Sequence, residues 1–144
     1  MRGYWGVVLY HPKDKYNWGT VVRSAYNFEA DFIATVGSRL PKQASNTCKT
    51  ERHIPVFHFV DWNSMRSGLP VECVPVAIEV DGTLMLESFC HPERAAYIFG
   101  AEDGTLPEMD GWSKRVKIAT NRCLNLAVAT SIVMYDRHVK RMGA

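Results

Sequence analysis

The chain has 144 residues, with 17 Lys and Arg against 15 Asp and Glu, a formal net charge of +2; 47% of residues are hydrophobic and 22% charged. That length fits one domain, residues 1–144, with enough chain for a real core, and the composition is that of an ordinary globular protein. The small positive charge permits RNA binding without demanding it, and no apolar run approaches the length of a membrane span.

Residues 1–9, MRGYWGVVL, lack the apolar region of a signal peptide and run straight into a strand pattern. Trp5 to Tyr10 (WGVVLY) is a compact apolar run, as in a strand covered on both faces. His11-Pro12 ends it. Asn17 stands where a helix cap is wanted, and Trp18, Val21, Val22, Ala25 and Phe28 follow at helical spacing. Thr20, Arg23, Ser24 and Asn27 occupy the opposite face. Phe32 to Val36 reads as a second strand closed by Gly37, so the chain opens with a βαβ unit. Residues 38–54 are polar and carry Arg39, Lys42, Lys49 and Arg52. Such a segment is either a solvated loop around a short helix or a lid that contacts RNA phosphates.

Val56 to Val60 is a third strand, and a helix starting at Asp61 is stopped by Ser67-Gly68-Leu69-Pro70. Val74 to Val80 is a fourth strand ending at Asp81-Gly82. Leu84 to Phe89 predicts a short helix, and Ala95 to Phe99 a fifth strand. Val116 to Ala119 reads as a sixth, followed by a polar loop at Thr120-Asn121-Arg122-Cys123. A helix runs from Leu124 to about Met142. Its first three turns are apolar nearly all round, which predicts burial. Asp136, Arg137, Lys140 and Arg141 predict last turns that emerge into water. Five or six strands alternating with helices predict an α/β fold: a mostly parallel sheet with helices on both faces. The four cysteines, Cys48, Cys73, Cys90 and Cys123, are scattered without a CxxC. With no secretion signal they are expected as reduced thiols of a cytoplasmic protein.

Three candidate loops follow three strands, the place where open α/β sheets bind ligands. They are Asn17 to Arg23, Gly100 to Pro107, and Thr120 to Asn125. Singly each is weak: Asn17 can be only a cap, Arg23 only a solvated charge, Gly100-x-x-x-Gly104 only a turn. The chain has no GxGxxG and no GxxxxGK[ST], and His53, His58, His91 and the cysteines lack metal-ligand spacing. Neither a dinucleotide fingerprint, nor a P-loop, nor a bound metal is therefore expected.

Together the loops are far more specific. Asn17-x-Gly19-x-x-x-Arg23, then Phe99-Gly100-x-Glu102-x-x-x-Leu106-Pro107, then Ile118 … Leu124-Asn125-Leu126 resemble, in order and spacing, the three motifs of the SpoU (TrmH-type) RNA 2′-O-methyltransferases of the SPOUT superfamily. The resemblance runs from Trp5 to about Lys140. With no added domain, the chain is most similar to the minimal tRNA wobble-position 2′-O-methyltransferases. The resemblance implies methyl transfer from S-adenosylmethionine to a ribose 2′-hydroxyl of RNA, with tRNA the expected substrate. It also implies a homodimer and a C-terminal trefoil knot, which periodicity alone would never propose.

The resemblance further implies a cofactor site in three loops. The first carries Ile78, Val80 and Gly82, the second Phe99, Gly100, Ala101, Glu102 and Gly104, the third Ile118, Cys123, Leu124 and Leu126. Val80, Ile98 and Leu124 are expected to flank the adenine, and Gly82, Gly100 and Gly104 to let backbone approach the ligand. Arg23 matches the family's catalytic arginine. A guanidinium is a poor base, with a pKa above ~12, so Arg23 is read as a fixed cation that lowers the hydroxyl's pKa and holds the adjacent phosphate. Asn17 would orient Arg23 or the ribose, Glu102 would clamp one of them by charge-assisted hydrogen bonds, and Asn125 would serve the cofactor pocket and its turn. Besides Arg23, the expected RNA contacts are Lys13, Lys15, Arg39, Lys42, Lys49 and Arg52, whose other role would be solubility alone.

Three departures from the family pattern stand out. Cys123 replaces the usual Ser before Leu-Asn, and Ala127 replaces a second Ser common after Leu-Asn-Leu. Thr105 takes the place of a Gly, with Gly104 one position early. A thiol is a weaker hydrogen-bonding group than a hydroxyl. The competing expectation is therefore a catalytically impaired domain that binds RNA or cofactor.

Overall fold

The fold is given by a computed structural model that describes residues 3–38, 40, 53–100, 106–108 and 111–143. In chain order these form β1 (Tyr4–Tyr10), α1 (Lys15–Asn27), β2 (Phe32–Val36), β3 (Val56–Phe59), α2 (Trp62–Gly68), β4 (Val74–Ile78), β5 (Leu84–Met85), a single 3-10 turn (Leu86–Ser88), β6 (Arg94–Phe99), β7 (Lys114–Lys117) and α3 (Leu126–Met142). Among the described residues the strands make one sheet in the order β3-β2-β1-β6-β4-β7-β5. Every neighbouring pair is parallel. The α/β expectation holds, with one strand more than the sequence indicates. The extra strand is Leu84–Met85, where the apolar run reads as a helix. A short run takes its state from its neighbour, and here β7 offers Val116 and Lys117 as parallel partners.

The twofold alternation of the strands splits the core. Trp5, Val7 and Leu9 of β1 pack with Ile33, Val76, Tyr97 and Phe99 under α1 and α3. Val8 packs with Phe32, Ala34, Ala77 and Ile98 on the second face, where Met65 of α2 covers them. Helices thus lie on both faces, and among the described residues the second is covered by a single short helix and by aromatic side chains, Tyr4, Tyr10, Trp62 and Trp112.

Helix α1 starts three residues before the position the sequence suggests. Asp14 is its cap, its Oδ1 accepting from the amides of Tyr16 (2.8 Å) and Asn17 (3.2 Å). Asn17 is inside the first turn, so its side chain is released from capping. Helix α3 departs from expectation at both ends. Arg137 does not emerge into water; it is 2% exposed. Its guanidinium donates to the carbonyls of Pro92 (2.6 Å) and Glu93 (3.0 Å) and to the Tyr97 hydroxyl (2.9 Å). Lys140 reaches back to the carbonyls of Leu86 and Phe89. Conversely, Val128 and Ile132, in the apolar first turns, are exposed. Among the described residues no helix is long and apolar enough to cross a membrane.

Candidate active site

Strands β4, β6 and β7 end at the same edge, since all are parallel and in register: Ile78 pairs with Phe99 and with Val116. An open cleft of about 150 Å³ lies at that carboxyl edge. Its walls come from Ile78 at the end of β4 with Glu79 and Val80 after it, from Phe99 at the end of β6 with Gly100 after it, and from Ile118, Thr120 and 123–126 between β7 and the first residue of α3, with Ala129 behind. The residues of three separate loops therefore meet at one cavity.

The mouth is organised by Asn125. It caps α3, its Oδ1 accepting from the amides of Ala127 (2.9 Å) and Val128 (3.2 Å). Because the carbonyl is committed to the helix, the amide nitrogen must face outward, and it donates to Oδ1 of Asn17 at 3.1 Å. Residues 108 positions apart are thereby joined, and α1 is locked to α3 a second time through Ser24 and Ser131, whose hydroxyls lie 3.1 Å apart.

Of the expected cofactor residues, Ile78, Val80, Phe99, Gly100, Ile118, Cys123, Leu124 and Leu126 line the cleft. Ala101, Glu102 and Gly104 lie outside the described residues. Two expectations need correction. Gly82 does not line the cleft. A Cβ there would stand 2.6 Å from the Val116 carbonyl carbon, so its missing side chain serves a close crossing over β7. Ile98 does not flank the cleft either. It alternates away from Phe99 and is fully buried on the sheet's second face.

Arg23 is exposed on α1. Six residues beyond Asn17, it lies about 120° round the helix and about 9 Å along it. The structure brings Asn17 and Asn125 together but leaves Arg23 on another side of α1. Lys13 and Lys15 are exposed around the start of that helix. Arg39, Lys42, Lys49 and Arg52 lie outside the described residues. Cys123 is exposed, and its Sγ makes only a long contact of 3.7 Å to the Leu124 carbonyl. Ala127 is buried, and Cys73, Cys90 and Cys123 are free thiols.

Glu79 and Ala129 line the cleft without having been singled out in the sequence, and Thr120 lines it from the third candidate loop. Glu79 carried a signal: it is a carboxylate inside an apolar strand run. It accepts from Nε of Arg115 at 2.6 Å, and Arg115 also pairs with Asp81 at 3.3 Å. Ala129 is one helical turn from Asn125, on the same side of α3. Thr120 fixes the loop, its hydroxyl donating to the Arg122 carbonyl at 2.8 Å.

The sequence pattern of the SpoU rRNA Methylase family matches residues 5–135. The chain belongs to that family. Solved structures carry the same fold. A protein studied for the 2-OH methylation of C/U34 on tRNA superposes with a TM-score of 0.86 at 22% identity, over 98% of this chain and 92% of its own. An AdoMet-bound rRNA methyltransferase from Sinorhizobium meliloti gives 0.83 at 21% identity, over 97% of this chain and 57% of its own. The SpoU methyltransferase AviRb from Streptomyces viridochromogenes, in complex with AdoMet, gives 0.79 at 19% identity, over 100% of this chain and 63% of its own. The SpoU chain described here thus spans less than two thirds of the latter two. No curated protein sequence matches it.

Proposed function

We propose that this SpoU-family chain methylates a ribose 2′-hydroxyl of RNA, with tRNA as the substrate class, using S-adenosylmethionine. The observation that carries the reading is the Asn125–Asn17 hydrogen bond at the mouth of the cleft. It joins the first and third motifs where a ribose held at the cleft would be positioned.

The cleft suits the cofactor chemically. Ile78, Phe99, Ile118 and Leu124 supply apolar walls for an adenine, and Glu79 and Thr120 supply polar groups beside them. When bound, the cofactor supplies a methyl group on a sulfonium, already a strong electrophile. The chain's own task is then alignment and charge. Asn17, held by Asn125, orients the ribose. Arg23 carries a positive charge on the exposed side of α1, suited to a phosphate of the RNA whose ribose is held at the cleft.

Two features support the architecture the resemblance implies. Strand β7 lies between β4 and β5, so residues 79–83 cross over it from one side to the other. The Glu79 amide donates to the Val116 carbonyl at 2.9 Å and the Thr83 amide to the Arg115 carbonyl at 3.1 Å. A connection that crosses the C-terminal strand in this way supports the knotted C-terminus that the resemblance implies. A homodimer is supported by Val128, Ile132, Tyr135, Val139 and Met142, which form an exposed apolar stripe along α3. They recur at the 4-3-4-3 spacing of a helix-packing seam.

The test is transfer of a labelled methyl group from S-adenosylmethionine to unmodified bulk tRNA, with Arg23→Ala alongside. Label should appear in alkali-resistant dinucleotides, because a methylated 2′-hydroxyl cannot assist strand cleavage. The variant should lose about 10²–10³ in rate. A second reading, an impaired binding module, rests on Cys123 at the cleft. No label with cofactor binding intact by calorimetry would favour that module, and a large gain from Cys123→Ser would identify the thiol as the cause.

A further inference from the structure

On the face opposite α1 and α3, four ring side chains run in sequence through space, starting at the carboxyl end of β1. His11 stacks on Tyr10, with centroids 3.9 Å apart and planes within 14°. Tyr10 meets Trp62 edge-on at 6.0 Å, and Trp62 meets Trp112 edge-on at 5.2 Å. The guanidinium of Arg66 sits 5.0 Å over the Trp112 ring. None of the four rings belongs to a fully buried residue, and Arg66 is exposed.

The start of this strip is held in an uncommon way. His11 has φ +51°, a left-handed conformation that side chains rarely adopt. Opposite it Gly37 has φ +58°, and a Cβ there would stand 2.7 Å from the His11 ring. A strained residue and an obligatory glycine thus place an imidazole parallel to Tyr10. The strip also starts beside the cleft. Leu9 pairs with Phe99, so Tyr10 stands next to Gly100, a cleft residue, on the neighbouring strand. Arg66 shows no acidic partner among the described residues. Lys13 and Lys15 add positive charge on the segment that follows His11.

We propose that His11, Tyr10, Trp62, Trp112 and Arg66 form a base-stacking strip that holds unpaired RNA nucleotides flanking the one delivered to the cleft. Rings in file beside exposed cations suit a single strand, since every base has a face to stack and every linkage a phosphate to neutralise. An arginine lying on an indole offers both, because its plane stacks while its charge remains. The proposal rests on the RNA reading above and adds where the rest of the strand goes: onto the sheet face opposite α3.

Tryptophan fluorescence reads it directly. Of the four tryptophans, Trp5 and Trp18 are 4% and 1% exposed, so stacking by RNA reports on Trp62 and Trp112. Titrating the whole chain with unmodified bulk tRNA should quench emission, and Trp62→Phe and Trp112→Phe should each remove part of the quench while binding survives. Trp62→Ala should weaken tRNA binding roughly tenfold to a hundredfold and leave calorimetric binding of S-adenosylmethionine unchanged. If the alanine variant does not fold, the phenylalanine variants and Arg66→Ala carry the test. Wild-type binding of tRNA without quenching, or with affinity untouched by Trp62→Ala and Arg66→Ala, would overturn the strip and leave the methyltransferase reading standing. Equal quenching by inorganic polyphosphate would overturn it too, since that polymer has no bases. Failure of the wild type to bind tRNA at all would remove both.

Discussion

Asn125 has two jobs that one side chain performs with its two ends. The carbonyl oxygen caps α3 and the amide nitrogen holds Asn17. Substitutions can separate them. Asn125→Ala removes both, so stability should fall by about 1 kcal/mol, the usual worth of a cap, and methyl transfer should fall with it. Asn125→Ser keeps a good capping group but cannot reach Asn17; its melting temperature should stay near wild type while transfer drops. Asn17→Ala should behave like the serine variant, because Asp14, not Asn17, caps α1. Thermal melts and methyl-transfer rates on the three proteins check this. Unchanged rates in both Asn125→Ser and Asn17→Ala would remove the link from the machinery. The cap also explains why a motif residue was legible in the sequence while its role was not. A polar residue before an apolar helix announces a cap, but nothing in the sequence says which end of its amide is spare.

At the scale of the element, the last turns of α3 are pinned by a polar chain rather than released into water. Arg137 donates to the Tyr97 hydroxyl, the Tyr97 hydroxyl must then donate to Nδ1 of His91 at 2.7 Å, and His91 Nε2–H donates to Asp136 at 2.7 Å. Lys140 closes the chain on Asp136 at 2.8 Å. Burial pushes the Tyr97 hydroxyl up to about 12, so it keeps its proton and can serve as that donor. Burial holds His91 below the ordinary histidine value, against the pull of Asp136, and the nearby Lys140 and Arg137 charges add to the depression. The neutral tautomer is the one the geometry needs, because a proton on Nδ1 would leave Tyr97 facing two donors. The unfolded chain binds a proton near pH 6.5 while folded His91 resists it until lower pH, so the unfolded state binds more protons in that window. Stability should therefore be full above pH 6.5 and decline as the pH falls below it. Thermal melts between pH 8 and 5 check this against His91→Gln, which can accept from Tyr97 and donate to Asp136 without titrating. An equal decline in both proteins would assign the effect elsewhere. This anchorage was not legible in the sequence. Charged residues at a helix end are usually solvated, and the acceptors that bury Arg137 come from residues 92–97, some 40 positions earlier.

For the whole molecule, the sequence made the layers plain and the assembly opaque. Compact apolar runs separated by a helix can hardly be anything but a parallel sheet, and loops after β4, β6 and β7 converge because parallel strands all end at one edge. What the runs do not encode is which strands are neighbours. Placing β7 between β4 and β5 depends on long-range pairing, and it turned Gly82 from an expected ligand contact into a crossing point. The same holds for the outside of α3. An apolar helix was expected to be buried, yet in one chain Val128, Tyr135, Val139 and Met142 are 47%, 59%, 46% and 72% exposed. The homodimer proposed above would resolve the conflict between sequence pattern and exposure if its second copy lay along that seam, and Ala129, which lines the cleft, lies between Val128 and Ile132 of the seam. Placing a charge in a desolvated seam costs on the order of 2 kcal/mol or more per copy, so Tyr135→Glu should shift the mass measured by light scattering from two chains to one. Because Asn125 and Ala129 stand at the start of the same helix, the monomer should also lose methyl transfer while its melting curve stays cooperative. A wild-type protein that runs as a monomer at micromolar concentration, or a Tyr135→Glu protein that stays dimeric, would leave the stripe without that partner.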